Sequence, residues 1–402
     1  IPLTALLGSV ELFRRIASAA EMGVRVGPAT LDLPAMLARK DRIVGELREG
    51  LAGLLPTFGI EIVEGAARLV DARTVEVNGQ RLAAGRAIIL ATGARAAPDP
   101  AGVAGLLRAD EAIRLDPPPG RVLIWGGGAA EIEFATLYAG LGVGVILAVD
   151  GPYPLPEEDY EIGQRLQGVL QAQGVQVLTG VRVQSAARSG DGVVVTLAGA
   201  KAERQAAVDR VLWLGRTPNI HGLGLEELGV KLADGGVVVN DRQQTNLPGL
   251  YAVGDVTGRP FYSSLATAAG LVAAENAMGR PRRLDRRHVP RYAFSIPEVA
   301  AVGLTEDQAQ DQGYDIEVVN VALNGNARAM GLGEVEGGIK LVADKQLGKV
   351  LGVHIVGHRA TELIAEAALG RQLEALAEDL RRVRSFEPIL AALGQALYVP
   401  KL

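Results

Sequence analysis

RVLIWGGGAAEIEFATLYAGLG, residues 121–142, carries the strongest fold signal of the sequence. Four apolar residues run into Gly126, Gly127 and Gly128, and a helical pattern over 129–141 follows at once. A strand that passes through glycines into a helix lets backbone N–H groups and the helix dipole approach a pyrophosphate. The full glycine pattern needs a third small residue three positions after Gly128. That place holds Glu131, a bulky acid that would press on the strand and bring negative charge near the phosphates. Gly126 and Gly128 are therefore read in two ways, as a dinucleotide turn or as a turn that has lost or weakened that function. The next strand, VGVILAV, is followed by Asp150. A carboxylate there takes a ribose 2′-OH and favours NAD over NADP, or it only opens the Pro-rich loop behind it.

Outward from this stretch the pattern repeats. Helix 158–173, strand VQVLTG, a β-hairpin and the strand RVLWLG complete a unit over 121–230. Strands alternating with helices predict a mostly parallel sheet covered on both faces. Upstream, residues 3–24 and 34–58 read as amphipathic helices, and 60–93 as short β segments (IEIVEG, ARLV, TVEV, AIILATG). A linker rich in Pro, Ala and Gly follows over 94–120. Downstream, 231–280 returns to β and closes with helix 262–278. The tail 288–402 has strands near 299–303, 316–321, 339–344 and 350–356, with helices at 305–312, 359–373 and 376–382.

The chain of 402 residues is long enough for two or three domains and carries a formal net charge of −5, which gives no basic field for nucleic acid or an anionic membrane. Charge or glycine interrupts every apolar run before a membrane span is reached. The absence of cysteine excludes disulfides, thiolate metal sites and thiol nucleophiles within this sequence. His221, His288, His354 and His358 do not cluster, so no metal site is expected, and His354 reads as a core or interface residue. The basic run 280–291 reads as a solvated linker, with contact to cofactor phosphates or an acidic partner as the other option.

A second motif lies at TNLPGLYAVGDVTG, residues 245–258. Its strand stops at Gly254, and Asp255 sits at the carboxyl end, where open α/β sheets bind ligands. An acid behind a glycine can accept from a sugar or polyol hydroxyl close to the backbone; Gly-Asp also makes ordinary turns.

The order of motifs resembles the FAD-dependent pyridine nucleotide–disulfide oxidoreductases, in their dihydrolipoamide dehydrogenase-like group. The stretches that carry the resemblance include IP at the start, LDLPAMLARKDRIV, IILATG, VLIWGGG…EFA, LGRTPNIHGLGLEELGV, TNLPGLYAVGDVTG, SIPEVAAVGLTEDQA and LGKVLGVHIVG. They cover essentially the whole chain. The resemblance implies an α/β fold of two Rossmann-like, three-layer nucleotide-binding domains plus a C-terminal α+β dimerisation domain. Residues 1–118 and 246–287 would bind FAD, 119–245 would bind NAD(H), and 288–402 would form a homodimer in the cytoplasm. By the same analogy Asp255, with Gly254, holds the ribityl chain, and Thr92 and Gly93 line the hinge of the flavin domain. Gly65 and Ala66 lie near the adenine, Glu133 near the nicotinamide, and Gly215 and Arg216 in the family's GRTPN turn. A lipoyl-type or acidic protein is the implied partner.

The departures from the family pattern bear on chemistry. In the family a segment precedes IP that carries the first strand, the FAD glycine turn and the Cys-x4-Cys redox pair, so upstream residues are expected in the native protein. Without that strand the flavin-domain sheet is expected to show an apolar gap. The family's Ser-Lys after IP is Leu3-Thr4 here. Near the C-terminus, Phe386 stands at the place of the proton-handling His and Ala391 at that of the Glu which orients it. Neither can move or orient a proton, and thiol–disulfide exchange needs a thiolate and a proton acceptor. Two hypotheses result. One is a flavoprotein passing hydride from a nicotinamide cofactor through FAD to a non-disulfide acceptor. The other is a non-catalytic homologue kept as a dimeric scaffold or assembly subunit.

Overall fold

The computed structural model describes residues 1–379 except 101, 200–202 and 378, so Phe386, Ala391 and most of the expected helix 376–382 lie outside the described residues. By its contacts the chain divides into two compact units. The first joins Ile1–Arg48, Asp99–Leu214 and the residues from Tyr292 onward; the second joins Glu49–Pro98 and Gly215–Arg291.

In the first unit, the strands Leu106–Leu107, Arg210–Trp213, Arg121–Trp125, Gly144–Val149 and Gln176–Thr179 lie in that order in one parallel sheet. Its strands are apolar on both faces, as a parallel sheet with both faces covered requires. Val122, Ile124, Leu147 and Val149 face the helices Pro2–Ala17, Ala129–Gly140 and Tyr160–Ala172. Leu123, Trp125, Ile146 and Ala148 face the antiparallel layer Val181–Ser189, Gly192–Gly199 and Glu203–Val208. The result is three layers. The helix Ala129–Gly140 is apolar nearly all round, because the sheet lies under it and Pro2–Ala17 crosses over it. Gly140 permits that crossing: a side-chain carbon there would fall 2.1 Å from Val10 Cγ1.

The same unit holds a second sheet, Arg291–Ala293, Glu298–Gly303, Val350–Gly357, Gly338–Asp344 and Ile316–Ala322 in spatial order, with the helix Ala360–Gln372 packed on it through Ile364 and Ala367. His354 is fully buried there and bonds Leu304 O at 2.9 Å, in keeping with a core residue. Lys340, 1% exposed, is ringed by Asp159 (2.8 Å), Glu306 (2.6 Å) and Glu161. Asp159 also caps the helix Tyr160–Ala172 through Glu161 N and accepts from Glu306 N.

The second unit pairs Ile88–Leu90 with Leu250–Ala252 in parallel and Ala94–Ala96 with Arg216–Pro218 antiparallel. A three-stranded meander, Ala67–Asp71, Thr74–Val77 and Gln80–Ala83, and the helix Ser263–Ala277 accompany them. Leu69, Leu90, Leu225, Leu250 and Val256 form its core.

Residues 1–48 pack with the 121–214 sheet, through Leu6, Leu7 and Val10. Residues 215–245 belong with the second unit, because Arg216–Pro218 pairs with Ala94–Ala96. The segment IEIVEG is no strand: Ile60, Ile62 and Val63 are exposed, as is Phe58 at 71%. A strand needs a ladder partner, and the Ile88–Leu90/Leu250–Ala252 sheet has only two members. The linker 94–120 is also more structured than its composition suggests, since it supplies the edge strand Leu106–Leu107.

Candidate functional site

The strand order of the first unit reverses beside Arg121–Trp125: Gly144–Val149 lies on one side and Arg210–Trp213 on the other. Ligands of open α/β sheets bind outside the carboxyl ends of strands at such a reversal. Gly126, Gly127 and Gly128 occupy that place. Gly126 N donates to Ala148 O (2.9 Å), Leu155 N donates to Gly127 O (2.7 Å), and Gly128 begins the helix Ala129–Gly140. Gly126 has φ +125°, a conformation open to glycine and costly for other residues.

The strand Gly144–Val149 leads directly into Asp150, the acid that sequence reading singles out. Successive strand residues point to opposite faces. Val149 stands against Gly127, its Cγ1 2.6 Å from where a side-chain carbon on that glycine would lie. Asp150 instead pairs with Arg182 at 3.4 Å. Trp125 and Trp213 face each other in register on adjacent strands, ring centroids 6.0 Å apart, with the Arg108 guanidinium 5.3 Å above Trp213. Glu133 Oε1 accepts from Phe294 N at 2.9 Å. Burial pushes the Glu133 carboxyl above its ordinary value, the Phe294 N–H opposes this, and the nearby Glu131 charge adds to it. Thr4, where the resemblance expects lysine, lines a cavity of about 1180 Å³ with Leu7, Glu11, Phe294 and His358.

The second unit brings the remaining motifs together. Thr92 Oγ1 donates to Asn219 O (2.8 Å) and Asn219 N donates to Gly93 O (2.9 Å), so the ATG and GRTPN segments, 127 residues apart in sequence, are tied directly. Ala97 N donates to Gly215 O at 2.9 Å. Val253 N donates to Leu90 O, which carries the chain from the Leu250–Ala252 strand into the single turn Gly254–Thr257. Gly254 has φ +71°, and a side-chain carbon on it would fall 3.2 Å from Ala266 Cβ. Asp255 is 17% exposed at its side chain and pairs with Arg216 Nη2 at 2.8 Å. Arg216 lies 5.3 Å from the Phe261 ring centroid, and Arg259 5.8 Å from the same ring. Gly65, at φ +150°, and Ala66 form a bend closed by Asn78, whose Nδ2 donates to Glu64 O at 2.7 Å.

This arrangement fits a flavin dinucleotide. Arg216 meets Oδ2 of Asp255, and among the described residues no hydrogen bond reaches Oδ1, which leaves that oxygen to accept from a hydroxyl. Arg216 supplies the balancing cation. Sequence reading identified Asp255 and Arg216 separately and missed their pairing; it also missed Asn219, Phe261 and Val149. In the basic run, Arg282, Arg283 and Arg287 pair with Glu275, Asp241 and Asp285, which suits a solvated segment. Among the described residues no group of His, Cys, Asp or Glu is arranged to hold a metal ion. No helix among them is long and apolar enough to cross a membrane.

Fold and site together define an α/β flavoprotein with nucleotide-binding and dimerisation domains. The chain belongs to the pyridine nucleotide-disulphide oxidoreductase family: residues 2–278 match the family's main domain and 289–397 its dimerisation domain. It is 38% identical to a dihydrolipoyl dehydrogenase of Thermus scotoductus over 94% of this chain and 83% of that one. It is 33% identical to the mitochondrial dihydrolipoyl dehydrogenase 1 of Arabidopsis thaliana over 97% of this chain and 80% of that one. Among solved structures it resembles LpdA of Mycobacterium tuberculosis, with TM-score 0.87 and 26% identity over 99% of this chain and 89% of that one. The fold is also that of the HOCl-induced flavoprotein disulfide reductase RclA of Escherichia coli, with TM-score 0.85 and 24% identity, covering 100% and 89%. These comparisons give no support to the non-catalytic scaffold.

Proposed function

We propose that this protein is a dimeric, cytoplasmic flavoenzyme that takes hydride from NAD(P)H onto FAD and passes the electrons to an acceptor other than a disulfide. The observation that carries the reading is the Arg216–Asp255 pair behind Gly254, knitted to the Thr92–Asn219 bonds. In this reading Asp255 Oδ1 accepts from the ribityl chain, Arg216 fixes the carboxylate, and Thr92 and Gly93 hold the hinge beneath the flavin. Gly65 and Ala66 flank the adenine. FAD, when bound, supplies the electron relay; the chain binds it, orients it and keeps water from it. On the nicotinamide side, Gly126 and Gly128 face the dinucleotide phosphates, and Glu133 borders the nicotinamide. Asp150, with Arg182, borders the adenosine end.

The choice of acceptor rests on two places that the resemblance marks near the C-terminus: Phe386 at the position of the proton-handling His and Ala391 at that of its Glu. The 288–402 segment is the proposed dimerisation domain, through which two copies of the chain pair. The test is NADH oxidation by the full chain with a quinone-type dye and, separately, with lipoamide. Turnover with the dye and none with lipoamide supports the reading. Lipoamide reduction at a comparable rate overturns the acceptor, and no turnover with either overturns the enzyme.

A further inference from the structure

Glu131 stands where a dinucleotide turn of this kind has a small residue, and its side chain does not point into the sheet. It folds back over the glycines. A side-chain carbon on Gly126 would fall 3.1 Å from Glu131 Cγ and 3.2 Å from Oε1, and one on Gly128 only 2.8 Å from Oε2. The two carboxylate oxygens thus lie against the first and second glycines of the turn. The second glycine is the one whose bare backbone lets a pyrophosphate come close. Glu131 is also in the first turn of the Ala129–Gly140 helix, where the dipole favours negative charge.

We infer that the Glu131 carboxylate is an internal stand-in for the dinucleotide pyrophosphate and sets the affinity of the crevice for NAD(P)H. This rests on the reading of Gly126–Gly128 as the nicotinamide-dinucleotide turn. A carboxylate and a pyrophosphate compete for one space and one dipole, and both are anionic. Binding therefore requires Glu131 to swing away, and part of the attraction between turn and phosphate is spent on displacing it. Nothing at the next strand compensates. The residue against Gly127 is Val149, which offers no acceptor for a ribose hydroxyl, and Asp150 is engaged with Arg182. Bulk and charge act together at Glu131, so two substitutions separate them. Glu131→Gln keeps the shape and removes the charge. Glu131→Ala removes both and restores a small residue with high helix propensity.

The chain's two tryptophans, Trp125 and Trp213, end the strands on either side of the strand-order reversal, so quenching of intrinsic fluorescence reads occupancy without turnover. NADH is titrated into the wild-type chain, E131Q and E131A, and a phosphate-free dihydronicotinamide serves as control. The expected result is a Kd for NADH about tenfold lower in E131A, with E131Q in between, and no change for the phosphate-free compound. Equal NADH affinities in all three proteins overturn the role of Glu131 and leave the proposed function standing. Tightening for both compounds overturns it too, since the effect would then not act through phosphate. No NADH binding in any of the three overturns both this role and the reading of the crevice.

Discussion

Arg216 Nη2 lies 2.8 Å from Asp255 Oδ2, joining the turn after Trp213 to the turn after the Leu250–Ala252 strand. The carboxylate is largely buried, while the guanidinium is about half exposed and leans on Phe261. The pair engages one oxygen of the acid, and in the proposed function the other accepts from the ribityl chain.

Asp255→Ala removes that acceptor, and the purified variant is expected to carry little or no flavin. Arg216→Leu leaves the acid without its cation. Because Arg216 is exposed enough for solvent to screen the pair, the stability cost is modest, about 1 kcal/mol. Flavin content is expected to fall further than stability does. Flavin absorbance and urea unfolding on the same samples separate the two effects, and an unchanged flavin content in both variants would falsify the assignment.

Lys340 is the only cation bonded to Asp159, Glu161 and Glu306 among the described residues. Lys340→Met leaves three carboxylates packed together, and removing one partner of a buried ionic group costs about 3–5 kcal/mol. Burial lowers the Lys340 pKa, but the bonds from Asp159, Glu161 and Glu306 outweigh it, and the net direction is upward from 10.5. A folded-state value above the unfolded one means that the stabilisation is complete at neutral pH. It fades only as pH rises past 10.5 and through the folded value. Urea midpoints against pH are expected to converge for wild type and K340M in alkali; a constant gap across the range would contradict this.

Tyr138, buried on the Ala129–Gly140 helix, donates its phenol to Ala112 O at 3.1 Å, and burial pushes its pKa up to about 12. The unfolded phenol ionises near 10, so the folded state holds its proton longer and stability declines as pH climbs from 10 to 12. Tyr138→Phe is expected to remove a late phenolate from the ultraviolet titration and to cost about 1 kcal/mol at neutral pH. A titration identical to wild type would show that another tyrosine is the late one.

The glycine turn was legible because everything it needs is contiguous: an apolar strand, three glycines and a helix within 121–140. The place of Asp150 follows from alternation along its strand. Alternation along Val145, Leu147 and Val149 already assigns Val149 to the helix side of the sheet. The Lys340 cluster was not legible, since its members come from positions 159, 161, 306 and 340 and no local pattern joins them. IEIV reads as a strand by composition, yet strand formation depends on a partner backbone, which composition does not encode. The Arg216–Asp255 pair falls between these cases: each residue announced itself through its motif, and only the pairing of Arg216–Pro218 with Ala94–Ala96 and of Leu250–Ala252 with Ile88–Leu90 brings them together.

In the proposed function this chain holds a flavin that accepts hydride from a nicotinamide cofactor. The most direct test of this is the visible absorbance spectrum of the purified full-length protein, recorded anaerobically before and after NADH. An oxidised flavin band is expected that bleaches on NADH addition and returns when a dye acceptor is admitted. A colourless protein that takes up no FAD, or a flavin band that NADH leaves untouched, would contradict it.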